Sequence, residues 1–259
     1  RGLGDVYKRQ HLTATMGFEC SQPVTLDKLT QPMVKAGVGL RWLLMRSGIG
    51  ASNIWEMGGL VHGNNEADYP NLQYHFTPVY SEWQGRKLKL QQGYQLNCDQ
   101  LRPRSRGEVK LQSDDPRTAP AVFFNYLTDP YDIKELSESL AMMEDLFAQR
   151  AFDNYRGRRI VPAPSVMSKS DIEAYVRGTA TTDYHPCGTC RMGGDQGAVV
   201  DGEMRVGGVD RLHIVDASIM PNIVSGNLNA PVLMLAERAA DFILGNNQLG
   251  PEKARFHFL

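Results

Sequence analysis

Apolar positions change rhythm several times along the chain, and each change predicts an element. Residues 12 to 47 are mixed, except that Val38, Leu40, Trp42 and Leu43 predict a helix over residues 34–45. That helix stops at the loop Gly48-Ile49-Gly50-Ala51-Ser52-Asn53. From Asn53 to Leu127 the pattern is strand-like. Residues 71–79 are rich in β-formers, and Tyr94, Leu96 and Cys98 alternate with polar residues. Val109 and Leu111 alternate likewise after a Ser105-Arg106-Gly107 turn, and residues 121–127 form a dense apolar run. Four or more short strands with polar turns predict an antiparallel sheet.

Two helices follow. The first opens at Asp129-Pro130, an N-cap followed by proline at the first helical position. Ile133, Leu136, Leu140, Met143, Leu146 and Phe147 give it one apolar face. The second opens at Ser168, with Asp171 completing a capping box. Beyond them, residues 199–206 read as a hairpin and residues 212–215 as a short strand. A last helix has Asn229 as its N-cap, Pro231 near its start and Gly245 just past its end. The class predicted is α+β, a sheet covered by helices on one face.

Composition narrows the function classes. The chain has 259 residues, 42% apolar and 22% charged, with a formal net charge of -1. It carries no basic excess of the kind a nucleic-acid binder shows. No apolar run is long enough for a transmembrane helix, which takes about 20 residues. Four cysteines are too few for a disulfide scaffold of this length and favour a reducing, cytoplasmic setting. Residues 1–10 are polar and without periodicity, and read as a non-native leader.

Two irregular stretches hold the candidate chemistry. In Tyr184-His185-Pro186-Cys187-Gly188-Thr189-Cys190-Arg191, His185 reads either as a general base, since imidazole titrates near neutrality, or as a hydrogen-bonded structural histidine. Cys187 and Cys190 read as a redox pair, as half a zinc site, or as small residues in a tight turn. No second ligand pair follows and glycine-rich turns surround them, so the turn is preferred and no metal is expected. The second stretch runs from Val215-Asp216-Ala217-Ser218 to Ser225-Gly226-Asn227-Leu228-Asn229-Ala230-Pro231. Its helix N-terminus presents open amides that suit an anion or an electron-rich ring edge, and Asn227 before it is placed to donate to a developing alkoxide. The plainer reading is a helix cap.

Together these stretches, about forty residues apart, resemble the C-terminal signature of the glucose–methanol–choline oxidoreductases. The resemblance extends to Pro70-Asn71-Leu72-Gln73-Tyr74-His75-Phe76 and Tyr155-Arg156-Gly157-Arg158, and covers His11 to Gly245. Asn227, where sugar oxidases of the family carry a second histidine, is similar to the choline dehydrogenase branch.

The resemblance implies an FAD-dependent oxidation of a primary alcohol, choline to betaine aldehyde, as in glycine betaine formation. His185 and Asn227 would be the catalytic pair, and Asp216, Ala217, Asn229, Ala230 and Pro231 would contact the cofactor. Glu56, Trp55 and Tyr184 would hold the substrate, since a quaternary ammonium is bound by aromatic faces and a carboxylate; His75 lies either in that pocket or merely in the sheet. Residues 11–198 would be a substrate-binding domain with the histidine loop, residues 199–245 a strand and helix returning to the FAD-binding domain, and 246–259 a tail. No G-x-G-x-x-G follows a strand anywhere in the chain, so its N-terminal Rossmann part is expected to be missing. The chain then reads as a C-terminal fragment, native from near His11 and inactive alone. The sequence leaves the electron acceptor open; a quinone acceptor would place the protein peripherally on the inner membrane. The alternatives are an aliphatic alcohol or polyol as substrate, or a non-catalytic domain that kept the fold.

Overall fold

The structure is a computed structural model that describes residues 7–8, 10–55, 57–64, 66–166 and 168–250. In chain order the strands are β1 (Tyr7–Lys8), β2 (Leu12–Cys20), β3 (Met57–Val61), β4 (Leu72–Thr77), β5 (Tyr80–Gln84), β6 (Lys87–Gln91), β7 (Gly93–Gln100), β8 (Gly107–Lys110), β9 (Ala121–Phe123), β10 (Arg156–Val161) and β11 (Thr181–Thr182). The helices are α1 (Pro32–Met45), α2 (Pro130–Phe147), α3 (Lys169–Thr179) and α4 (Asn229–Leu244). Among the described residues no helix is long and apolar enough to cross a membrane.

Two compact units share these elements. One takes the described residues of Arg1–Leu12, Leu101–Asp132 and Thr182–Leu259; the other takes Thr13–Gln100 and Ile133–Thr181. The chain passes between them four times, so these units divide it differently from a single cut at residue 198. Helix α2 begins in the first unit and runs into the second.

The second unit is built on a sheet in the order β10-β2-β7-β4-β3. β4 pairs antiparallel with both β3 and β7, Tyr74 standing opposite Cys98 and His75 opposite Asn97. Alternation sorts the side chains onto two faces. Phe18, Tyr74, Phe76, Tyr94 and Leu96 lie on the face that α2 covers, where Ile133, Leu136, Leu140, Met143 and Phe147 are buried. Phe18, Tyr94, Phe147 and Phe152 pack ring to ring there. The other face is polar: Thr15 Oγ1 donates to Asn97 Oδ1 at 2.7 Å, and His75 pairs with the buried Asp99 at 2.9 Å.

Several expectations need correction. Leu146 is 40% exposed, because it lines an open apolar cleft of about 530 Å³ together with Met57, Phe76, Tyr94 and Tyr155 instead of joining the buried stripe. β8 and β9 do not extend the main sheet. They pair with each other and with β1 in a separate sheet of the first unit, so Tyr7 and Lys8, within the expected leader, are paired to Glu108 and Gly107. β2 was not anticipated as a strand, nor was the β5–β6 hairpin, which turns at Gly85 with φ 64°.

The cap of α2 is as expected: Asp129 Oδ1 accepts from Tyr131 N at 2.9 Å. The Ser168–Asp171 capping box on α3 also forms. Ser168→Ala is expected to cost about 1 kcal/mol, read as a lower denaturant midpoint with an unchanged slope; no shift would show that the cap contributes nothing to the cooperative unit. α4 departs from expectation at its start. Its N-cap is Leu228 and Asn229 is already helical, with no side-chain cap bond. Its end is as read, on left-handed Gly245 with φ 67°. The expected hairpin and strand over residues 199–215 reduce to isolated bridges, Val200 to Val206 and Arg205 to His213. Short segments interrupted by Gly202, Gly207 and Gly208 do not sustain a ladder.

Candidate active site

The two irregular stretches run side by side in the first unit. Gly188 N donates to Ala217 O at 3.3 Å, Cys190 N to Ser218 O at 2.9 Å and Met192 N to Ile219 O at 2.7 Å. Gly188 makes the approach possible with φ 88°, a conformation that other residues rarely adopt. Cys187 anchors the loop from below, packed in an apolar cluster with Met220, Ile223 and Leu228. No disulfide joins Cys187 and Cys190. The first sulfur of the C-x-x-C thus lies in an apolar packing cluster.

This ladder carries His185 to a polar cluster. Its Nδ1 lies 2.9 Å from Asp183 Oδ2 and 3.0 Å from His11 Nδ1, and its Nε2 lies 3.5 Å from Asn227 Nδ2. The histidine and asparagine singled out from the sequence are thus brought together across 42 residues of chain. His11 is 1% exposed, and its Nε2 lies 3.0 Å from Leu101 O and 3.1 Å from Val224 O. Its ring meets that of His185 edge-on, at an interplanar angle of 85°.

His11 and Asp183 were missed from the sequence. Asp183 had a local signal, lying two residues before the candidate base. His11 had none, since it reaches the site from 174 residues away. His11, Asp183 and His185 also form a group with the ligand types of a metal site. Tetrahedral zinc with bonds of about 2.0–2.1 Å would hold its ligand atoms roughly 3.3 Å apart. The observed 2.9 and 3.0 Å suit shared hydrogens better.

Next to the base, Tyr184 adopts φ 58° in the left-handed region, at a cost of about 1–2 kcal/mol. Its N donates to Thr182 Oγ1 at 2.9 Å, while its ring is 83% exposed. Trp55 belongs to the second unit, 48% exposed and edge-on to His75 at 5.9 Å. Glu56 lies outside the described residues.

The residues expected to meet the cofactor take defined roles. Asp216 caps a single 3-10 turn, accepting from Ser218 N at 2.7 Å, with Ala217 the first residue of that turn. Asn229, Ala230 and Pro231 form the first turn of α4. Helix geometry gives the amides of Asn229 and Ala230 no acceptor within the helix, and Pro231 has no N–H to leave open. A short row of donors at the positive end of a helix dipole fits an electron-rich ring edge.

Comparison with known proteins places these features in context. The family model described as GMC oxidoreductase matches residues 103–236. An oxygen-dependent choline dehydrogenase of Paraburkholderia phymatum is 42% identical over 249 residues, covering 96% of this chain and 44% of that protein. Its counterpart in Citrobacter koseri is 41% identical over 256 residues, covering 99% and 46%. The chain thus spans less than half the length of these curated relatives. Among solved structures, a formate oxidase variant of Aspergillus oryzae superposes with a TM-score of 0.83 at 22% identity, over 94% of this chain and 47% of that one. An FAD-dependent oxidoreductase from Chaetomium thermophilum gives 0.79 at 19%, over 93% and 48%.

Proposed function

Because the chain belongs to the glucose–methanol–choline oxidoreductase family, we propose that it supplies the alcohol-oxidising end of an FAD-dependent dehydrogenase whose substrate is choline and whose product is betaine aldehyde. The observation that carries the reading is the 3.5 Å between His185 Nε2 and Asn227 Nδ2. A hydroxyl oxygen about 2.8 Å from each nitrogen sits comfortably between them. His185 Nε2 takes the hydroxyl proton there, and the Asn227 amide donates to the alkoxide as it forms. The chemistry a bound FAD would supply is a hydride acceptor for the adjacent carbon. The open amides of Asn229 and Ala230 would hold an electron-rich edge of that ring, and Asp216 and Ala217 the neighbouring stretch of the cofactor.

Choline as the particular alcohol is supported by the names of the curated relatives and by Asn227 standing where a second histidine would mark a sugar oxidase. Tyr184, beside the base in the first unit, is the residue we assign to the trimethylammonium group. Oxygen is the acceptor to try first, since it is in the relatives' name.

The test uses the complete gene product. Its flavin absorbance is recorded anaerobically and choline is added. Prompt bleaching is expected, slowed about 10²–10³-fold in Asn227→Ala by loss of one alkoxide donor. Bleaching by a plain alcohol but not by choline would overturn the substrate and keep the chemistry. No bleaching by any alcohol would move the chain to the non-catalytic reading.

A further inference from the structure

Two acceptors converge on the same ring atom of His185. We propose that Asp183 and His11 are positioning residues that hold His185 in its Nδ1–H tautomer, leaving the Nε2 lone pair to receive the substrate's proton. The inference rests on the reading of His185 as the base.

The tautomer follows atom by atom. His11 Nε2 lies 3.0 Å from Leu101 O and 3.1 Å from Val224 O. A carbonyl oxygen only accepts, so this nitrogen carries a hydrogen. A neutral imidazole has one N–H, which leaves a lone pair on His11 Nδ1. That lone pair lies 3.0 Å from His185 Nδ1, so the hydrogen between the rings belongs to His185. The Asp183 carboxylate, 2.9 Å from the same atom, also only accepts. Both neighbours therefore call for a hydrogen on His185 Nδ1. Neutral His185 then has a bare Nε2, and the group facing it, Asn227 Nδ2, is a donor.

The opposite arrangement fails on Asp183. A charged His11 would be compatible with a hydrogen-free His185 Nδ1. The Asp183 oxygen would then face a lone pair at 2.9 Å. Once His185 has taken the proton on Nε2 it is an imidazolium, still donating from Nδ1. The Asp183 carboxylate balances that charge without itself being protonated. His11 stays neutral and keeps the ring plane fixed, because its own ring is held by two main-chain carbonyls.

The experiment reads the tautomer directly. The complete gene product is labelled with ¹⁵N-histidine, and long-range ¹⁵N–¹H correlations are recorded; the His185 signals are those lost in His185→Gln. Wild type is expected to show His185 with a protonated Nδ1 and a bare Nε2. The His11→Gln/Asp183→Ala double variant keeps a donor toward Leu101 and Val224 but takes both of these acceptors away from His185 Nδ1. It is expected to show an Nε2–H population, and kcat lower by about 10²-fold or more with KM changed by less than about threefold. Within the Asp183→Ala background, His11→Asn puts a carbonyl oxygen where Nδ1 stood and should retain the Nδ1–H form that His11→Gln loses. A merely structural His11 would give the reverse order, tolerating Gln and not Asn. Nε2–H in the wild type, or an unchanged tautomer in the double variant, overturns the proposal. If the double variant does not fold, the wild-type spectrum and that of Asp183→Ala/His11→Asn decide. The spectrum needs no substrate, so a wrong substrate or a non-catalytic chain is told apart from a wrong tautomer.

Discussion

In the complete flavoprotein, His185→Ala is expected to lower the rate of anaerobic flavin bleaching by about 10²–10⁴-fold, the range that a positioned general base contributes. The argument is geometric. His185 Nε2 and Asn227 Nδ2 face each other at 3.5 Å in the candidate site, and of the two only an imidazole nitrogen takes a proton. Without it the hydroxyl proton must leave to water, and the hydride must come from a neutral alcohol. Binding should suffer far less, because the alanine leaves Asn227 and its helix start in place; a fall in kcat with KM nearly constant is the signature of an interaction made mainly in the transition state. The deficit should shrink as pH rises, since hydroxide increasingly does the work of the missing base. His185→Gln should be as slow as alanine, as an amide fills the space without accepting a proton. A rate within threefold of wild type in either variant would remove His185 from the mechanism and favour its reading as a structural histidine.

The pairing of His185 with Asn227 was legible because its two motifs are local. Tyr184–Arg191 and Asp216–Pro231 each carry their backbone restrictions in sequence, as prolines, glycines and small residues. Their ladder, Gly188 to Ala217 through Met192 to Ile219, is what turns nearness in motif order into nearness in space. Helices α2, α3 and α4 were legible for the same reason, each announcing itself by periodicity and by a cap or stop. What stayed hidden was non-local. His11 reaches His185 only after the chain has run through the whole second unit and returned, and no spacing rule records that. The strand β2 does carry a local signal: Leu12, Ala14, Met16, Phe18 and Cys20 alternate strictly and all are buried. The surrounding residues 12–47 are mixed, and the alternation was lost in the wider window. The helix start at Asn229 misled in the other direction. Asparagine is a good N-cap, but here Leu228 takes the half-helical position and Asn229 enters the first turn. A residue that caps would have turned its side chain back onto the helix.

The second large effect concerns stability. Phe147→Ala is expected to cost about 3–5 kcal/mol, a fifth or more of what a domain of this kind has to lose. Phe147 is 0% exposed at the end of α2 and touches three rings. Its centroid lies 5.1 Å from Phe18, 5.3 Å from Tyr94 and 5.1 Å from Phe152, at angles of 61°, 51° and 85°. Two of the three contacts are edge-to-face, the arrangement that aromatic quadrupoles prefer, so alanine forfeits ring interactions as well as buried area. The midpoint of thermal unfolding should fall by roughly 6–20 °C. Phe147→Leu, which keeps most of the volume, should lose about 1–2 kcal/mol. Tyr94 gives an independent readout. Burial pushes its phenol up from the ordinary value of 10 to about 12, which favours the neutral form in the folded state. Stability from this group is complete below pH 10 and is lost as pH climbs toward 12. A cavity beside Tyr94 that admits water would bring its titration back toward 10, visible as tyrosinate absorbance at lower pH in the folded variant. A variant that loses stability but leaves the Tyr94 titration unmoved would mean that the ring cluster collapses to fill the space, and the loss would then lie near the lower end of the range.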